Sequence, residues 1–298
     1  MSRGGRLWWL LPWLALTLPA TQSALAEDCA TDVRGQELCL DAPAQRIVAL
    51  SPGATELLFA AGAGDQVIAA VSFSDYPREA KALPRVGTHD RLDLERLLAL
   101  SPDLVVGWRS GNPREQLAKL ERLGVPVFMI EPKDFAEIAD TLNQLGRLTD
   151  TAKVAGSRAK KLRDDVAALE EEYEDAAPIQ VFYQVWDQPL MTVNGDHWIS
   201  RSLSLCGGVN VFADQAPLVP RISREAVLAR APQAIITGGM GESDSHWLAE
   251  WRAFNQLPAV RNDNLFLVDP DLVQRPTPRL LEGTRVMCER LDRARAQN

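Results

Sequence analysis

The chain has 298 residues, 46% of them hydrophobic and 24% charged, with a formal net charge of −8 at pH 7. An acidic chain without a basic stripe cannot neutralise phosphates, which excludes nucleic acid as a principal partner. The length exceeds what one hydrophobic core usually organises, so two lobes are expected.

Arg3 and Arg6 precede an apolar run from Leu7 to Leu18, and Ala24-Leu25-Ala26 supplies small residues for cleavage. Residues 1–26 therefore read as an export signal, with the mature chain starting near Glu27. The apolar run is too short for a stable span, and no later stretch approaches the roughly 20 apolar residues a span needs. Glu27 and Asp28 precede Cys29 where a lipoprotein signal needs small residues, so a soluble protein of the periplasm is expected. In that oxidising compartment the four cysteines should form two disulfides, with three pairings available. Cys29 and Cys39 flank the turn-like Arg34-Gly35-Gln36 between two short extended runs, which favours a local bridge and leaves Cys206 for Cys288. No Cys-x-x-Cys spacing favours metal ligation instead.

The first lobe, 27–148, opens with a strand over 46–50 and has another over 125–130 after a helix. Residues 94–106 reappear as 224–236 at an offset of 130. In each copy a short amphipathic helix stops before a proline, Pro102 or Pro232, and a buried strand follows. Between the copies, 149–174 lacks an internal proline and spaces Val154, Leu162, Val166, Leu169 and Tyr173 as one helical stripe. The segment 149–176 is thus a long connecting helix of nearly 40 Å, a strut that permits only a small hinge motion. The second lobe, 177–298, has strands over 179–185 and 264–268. Alternating helices and short apolar strands specify an α/β fold: two Rossmann-like lobes with parallel sheets, joined by one backbone helix.

Ligands in such folds bind at the loops that follow the strands. Ser51 and Pro52 begin a helix whose N-terminus is either simply capped or able to hold an anion. Aromatic and imidazole side chains sit in the neighbouring loops: Tyr76 in 73–77, His89 in 88–90 and Trp108 in 107–112. Trp186 and the turn 194–198 are their second-lobe counterparts. Such rings beside glycine and proline are badly placed for a core and well placed to stack on a ligand. Catalysis has little support, because His89, His197 and His246 lack metal-ligand spacing and no nucleophile elbow is present. The run 238–241 is glycine-rich but lacks the lysine of a phosphate loop, and reads as a simple loop. Neither a catalytic cofactor nor a bound metal is expected, and a metal-dependent hydrolase is the weaker enzymatic alternative.

The segments RIVALSPGATELLFAAGAG (46–64), SDYP (74–77), LERLLALSPDLVVGWRSGN (94–112), LCGGVNVF (205–212) and SREAVLARAPQAIITGG (223–239) resemble one family. It is the periplasmic receptors of bacterial ABC importers for iron-siderophores, haem and cobalamin, and the likeness is to the cobalamin-binding branch. The resemblance implies capture of cobalamin or a similar metal chelate by a monomeric, non-catalytic receptor. It supports the Cys206–Cys288 bridge, and it implies that Glu95 and Glu225 dock on arginines of a dimeric permease. Those two residues stand seven positions before Pro102 and Pro232, as a two-fold symmetric partner requires. Tyr76 and Trp108 match corrin-contacting aromatics, whereas His89 stands where that branch has a tryptophan, and near Val219 a second tryptophan is missing. A haem or iron chelate, with His89 or Tyr76 as a metal ligand, is the alternative cargo.

Overall fold

The computed structural model describes Met1 and residues 28–239 and 245–297. The expected export signal beyond Met1 lies outside the described residues, as do Met240 and Gly241 of the glycine-rich run. The chain opens with a hairpin of β1 (Asp28–Thr31) and β2 (Glu37–Leu40), in which Cys29 lies directly opposite Cys39 and is bonded to it.

The first lobe then runs through β3 (Ile47–Ala49), α1 (Pro52–Ala60) and β4 (Val67–Ala70) to a small hairpin, β5 (Gly87–Thr88) and β6 (Arg91–Leu92). It continues with α2 (Leu94–Ala99), β7 (Leu104–Trp108), α3 (Arg114–Arg122) and β8 (Val127–Ile130). Two helices follow, α4 (Phe135–Leu148) and α5 (Ala152–Glu172). The second lobe comprises β9 (Ile179–Gln184), α6 (Trp198–Leu205), β10 (Gly208–Asn210), α7 (Arg224–Arg230), β11 (Ala234–Thr237) and α8 (Ser245–Trp251). It ends with α9 (Pro258–Arg261), β12 (Leu265–Leu267), α10 (Pro270–Val273) and α11 (Leu280–Gln297). Cys206, at the end of α6, is bonded to Cys288 on α11.

The two four-stranded sheets, in the orders β4-β3-β7-β8 and β10-β9-β11-β12, are parallel throughout and wound alike. The sequence repeat falls on corresponding elements, α2-β7 and α7-β11. Asp93 and Ser223 cap these helices in the same way, each accepting a backbone N–H three residues on, from Arg96 at 3.0 Å and Ala226 at 3.2 Å. At the other end a proline ring bars the right-handed helical conformation from the residue before it. The chain leaves through the left-handed region in both copies, at Ser101 (φ 47°) and Ala231 (φ 44°).

Successive residues of the central strands serve different cores, as the two-residue period of a strand dictates. Ile47, Ala49, Leu104 and Val106 face one cluster, which continues through Ala155, Ala159, Leu162 and Leu169 of α5 to Val181, Tyr183, Ala234 and Ile236. Val48 and Val105 face a second cluster under the outer helices of the first lobe, and Phe182 and Ile235 a third in the second lobe. A single apolar core therefore runs from sheet to sheet through the connecting helix.

That helix departs from expectation in bounds and in face. It spans 21 residues, about 32 Å at 1.5 Å per residue, because α4 ends at Leu148 and the chain turns before Thr151. Val154, expected in the buried stripe, is 46% exposed, and the alanines Ala155 and Ala159 take its place. The cause is close approach to α4: a Cβ added to Gly146 would lie 2.4 Å from that of Ala155, so only small side chains fit between the helices.

Candidate ligand-binding cleft

In each sheet the winding reverses beside the first strand, β3 or β9, so the chains leaving the two central strands diverge and open a crevice beyond their C-terminal ends. A cleft of about 520 Å³ lies there between the lobes. Ser51, Pro52, Phe73, His89, Trp108 and Pro132 line its first-lobe wall, and Trp198, Pro270, Gln274 and Arg275 the other. The wall is largely apolar with a few polar groups, the usual character of a small-molecule site.

Ser51 both lines the cleft and caps α1, its Oγ accepting the Ala54 N–H at 3.0 Å. Of the two roles open for this helix start, capping is the one occupied by a visible bond. Trp108 ends β7, and its indole lies over Gly111, where an added Cβ would fall 1.9 Å from the ring. Buried Asn112 fixes this corner: its Oδ1 accepts from Trp108 N at 2.6 Å, and its Nδ2 donates to the carbonyls of Leu50 and His89, each at 2.8 Å. Trp108→Ala is expected to weaken ligand binding about 5- to 150-fold, as loss of one stacked ring worth roughly 1–3 kcal/mol implies. Gly111→Ala should approach the same loss by displacing the indole, and titration calorimetry of both variants checks the pair.

The structure separates the other aromatics. His89 lies in the cleft, its ring centroid 5.8 Å from that of Trp108. Tyr76 stands outside the lining, with the Arg279 guanidinium 3.9 Å above its ring centroid, so one stacking face is already covered. Trp186 lines a neighbouring cavity of ≈ 310 Å³ with Met191, His197 and Val219, which meets the main cleft at Trp198 and Gln274. His197 is buried, caps α6 by accepting the Ile199 N–H at its Nδ1, and packs on Trp198 at 3.8 Å. Burial lowers its pKa to about 3, so this imidazole is a neutral structural group. Phe73, 75% exposed and held in the left-handed region (φ 65°), is a cleft residue from the loop 73–77, where the sequence had pointed to Tyr76 instead.

A second feature was invisible in the sequence. Glu56, in α1 of the first lobe, is buried and receives Arg275 Nη1 at 2.8 Å and Thr277 Oγ1 at 3.0 Å, with Arg279 Nη1 at 3.4 Å. Arg275 also donates to Asp75 at 2.9 Å and to the Phe73 carbonyl at 3.3 Å, and pairs with Asp271 at 3.2 Å. The segment between α10 and α11 is thereby clasped to the first lobe beside the cleft. Burial outweighs these partners and holds the Glu56 carboxyl above its ordinary pKa.

Glu95 and Glu225 occupy the second position of α2 and α7, both exposed, and neither forms an ion pair among the described residues. The Glu225 carboxyl is held below its ordinary pKa by its own backbone N–H and by the Ser223 hydroxyl. Among the described residues the only His, Cys, Asp and Glu grouping compact enough for a metal is Cys29, Glu37 and Cys39, and its two sulfurs are joined in the disulfide.

The chain is 38% identical over 250 residues to the vitamin B12-binding protein of Vibrio parahaemolyticus, covering 84% of this chain and 90% of that one. Its identity to the vitamin B12-binding protein of Vibrio cholerae is 39% over 255 residues, 86% and 92% of the two chains. The crystal structure of the periplasmic vitamin B12 binding protein of Vibrio cholerae matches with a TM-score of 0.79 at 39% identity, over 86% of this chain and 99% of that one. The periplasmic heme binding protein of Vibrio cholerae shares the fold, with a TM-score of 0.73 at 23% identity over 83% and 98% of the chains. The sequence pattern described as periplasmic binding protein matches residues 47–272, most of the chain, and the chain belongs to the periplasmic binding protein family.

Proposed function

We propose that this chain is the periplasmic substrate-binding subunit of an ABC importer, capturing cobalamin or a related corrinoid between its lobes and delivering it to a membrane permease. The observation that carries this reading is the interlobe cleft, lined by Pro52, Pro132 and Pro270 together with Phe73, Trp108 and Trp198, in a chain 39% identical to a vitamin B12-binding protein. Largely apolar walls carrying aromatic rings on both lobes suit a large planar ligand whose faces are desolvated while its edge remains in water. Capture rather than turnover is supported by the state of the polar groups: Asp75 and Asp271 are engaged by Arg275, and His197 is a helix cap. The receptor acts as a monomer and presents Glu95 and Glu225, one on each lobe, to a dimeric permease.

Titration of the purified mature protein with cyanocobalamin should give a one-to-one heat of binding and retain the red colour on gel filtration. Absence of both with protein at about 50 µM, well above a dissociation constant of about 1 µM, would overturn the corrinoid assignment.

A further inference from the structure

His89 sits at the tip of the β5-β6 hairpin, where Thr88 pairs with Arg91 and only His89 and Asp90 form the loop. So short a loop leaves little freedom at its tip. The turn is pinned twice more: the His89 carbonyl accepts from buried Asn112 at 2.8 Å, and Asp90 accepts from Thr88 Oγ1 at 2.6 Å. The imidazole lines the cleft, touches Trp108 as its ring neighbour, and makes no hydrogen bond through either ring nitrogen among the described residues. Competing donors are mostly engaged: Asp75 and Asp271 are paired with Arg275, and the His197 Nδ1 accepts a backbone N–H. Glu131 is the remaining carboxylate of the lining.

A planar metal chelate held between two opposed walls turns its faces, and hence the axial positions of its metal, toward those walls. Imidazole nitrogen is a suitable donor for cobalt and iron, more so than a carboxylate is for a low-spin trivalent centre. From this placement, and resting on the corrinoid reading above, we propose that His89 is an axial ligand to the metal of the captured chelate. The cleft then selects corrinoids with an exchangeable axial water over those whose axial positions hold strong ligands. In the step, the lone pair of one ring nitrogen forms the bond to cobalt and the water leaves. The oxidation state of the metal is unchanged.

The test compares aquocobalamin with cyanocobalamin on the native protein and on His89→Ala, reading both affinity and the visible spectrum. The native protein is expected to bind aquocobalamin about tenfold or more tightly than cyanocobalamin and to shift its absorption bands, with no shift for the cyano form. His89→Ala should lose the shift and the preference yet still bind cyanocobalamin, which also shows that the variant is folded. Aquocobalamin bound with an unshifted spectrum, or a preference that survives in His89→Ala, would overturn the assignment of His89 while leaving the receptor reading intact. Ferric haem bound with a His89-dependent spectrum, and no cyanocobalamin bound, would overturn the corrinoid reading itself.

Discussion

Arg275→Ala is expected to destabilise the protein by about 3 kcal/mol at neutral pH, because it leaves the carboxylate of Glu56 buried without its nearest guanidinium. Arg279 and Thr277 stay within reach and keep the loss from being larger. The cost should depend on pH with a definite sign. Glu56 is held above its ordinary pKa, so the native state keeps this proton more tightly than the unfolded chain does. Its contribution to stability is fully present below the ordinary carboxylate pKa and is lost as the pH rises through the folded value. Without Arg275 the folded value rises further and the loss becomes steeper. Urea unfolding should therefore show a small difference between native and variant near about pH 4 and the full difference at about pH 7. Equal differences at the two pH values would mean that the ionised form of Glu56 is not what Arg275 compensates. Adding Glu56→Gln to Arg275→Ala should recover part of the stability at neutral pH, since the stranded charge is gone.

On the proposed docking role, Glu95→Lys combined with Glu225→Lys should lower delivery through the permease about 100-fold or more, and each single change about tenfold. Calorimetric affinity for the ligand should be unchanged, because both carboxylates sit at the starts of α2 and α7, away from the cleft lining. The competing explanation is that each carboxylate only favours its helix start, an effect worth under about 1 kcal/mol. Uptake measured in reconstituted vesicles, beside thermal unfolding of the same variants, separates the two. Normal uptake by the double variant would remove the docking role, whatever happens to its melting temperature.

The architecture was legible because its signals are local. Each proline-terminated helix followed by an apolar strand lies within thirteen residues, and the copies recur at a fixed offset that the structure keeps down to the caps and the left-handed residues. Short apolar strands alternating with helices announced parallel sheets, and the Cys29–Cys39 bridge followed from a turn between extended runs. The site was legible only in part. Trp108 and His89, which line the cleft, were visible because a strand or turn immediately precedes them, whereas Tyr76, also expected at the ligand, lies outside that lining with one ring face under Arg279. The clasp joins Glu56 to Arg275, 219 positions apart, and Glu56 in the sequence is one more charge early in a helix. Asn112 was likewise unremarkable until its three bonds placed it between two loops and a strand end. The buried face of α5 was misjudged for a different reason: periodicity ranks valine above alanine, but the spacing between α4 and α5 is set by Gly146, and a close interface prefers the smaller residue.

The equivalence of the two lobes has a kinetic side. Because Glu95 and Glu225 occupy matching places in the repeat, a receptor turned end for end would present the same two charges with the lobes exchanged. A permease with a true two-fold axis would then accept the receptor in either of two orientations, giving a statistical factor of about 2 in productive encounters. The cargo has no such axis. Half of all dockings would thus present the corrinoid to the translocation pathway one way round and half the other, so the pathway must tolerate both presentations, or only one of the two complexes is productive.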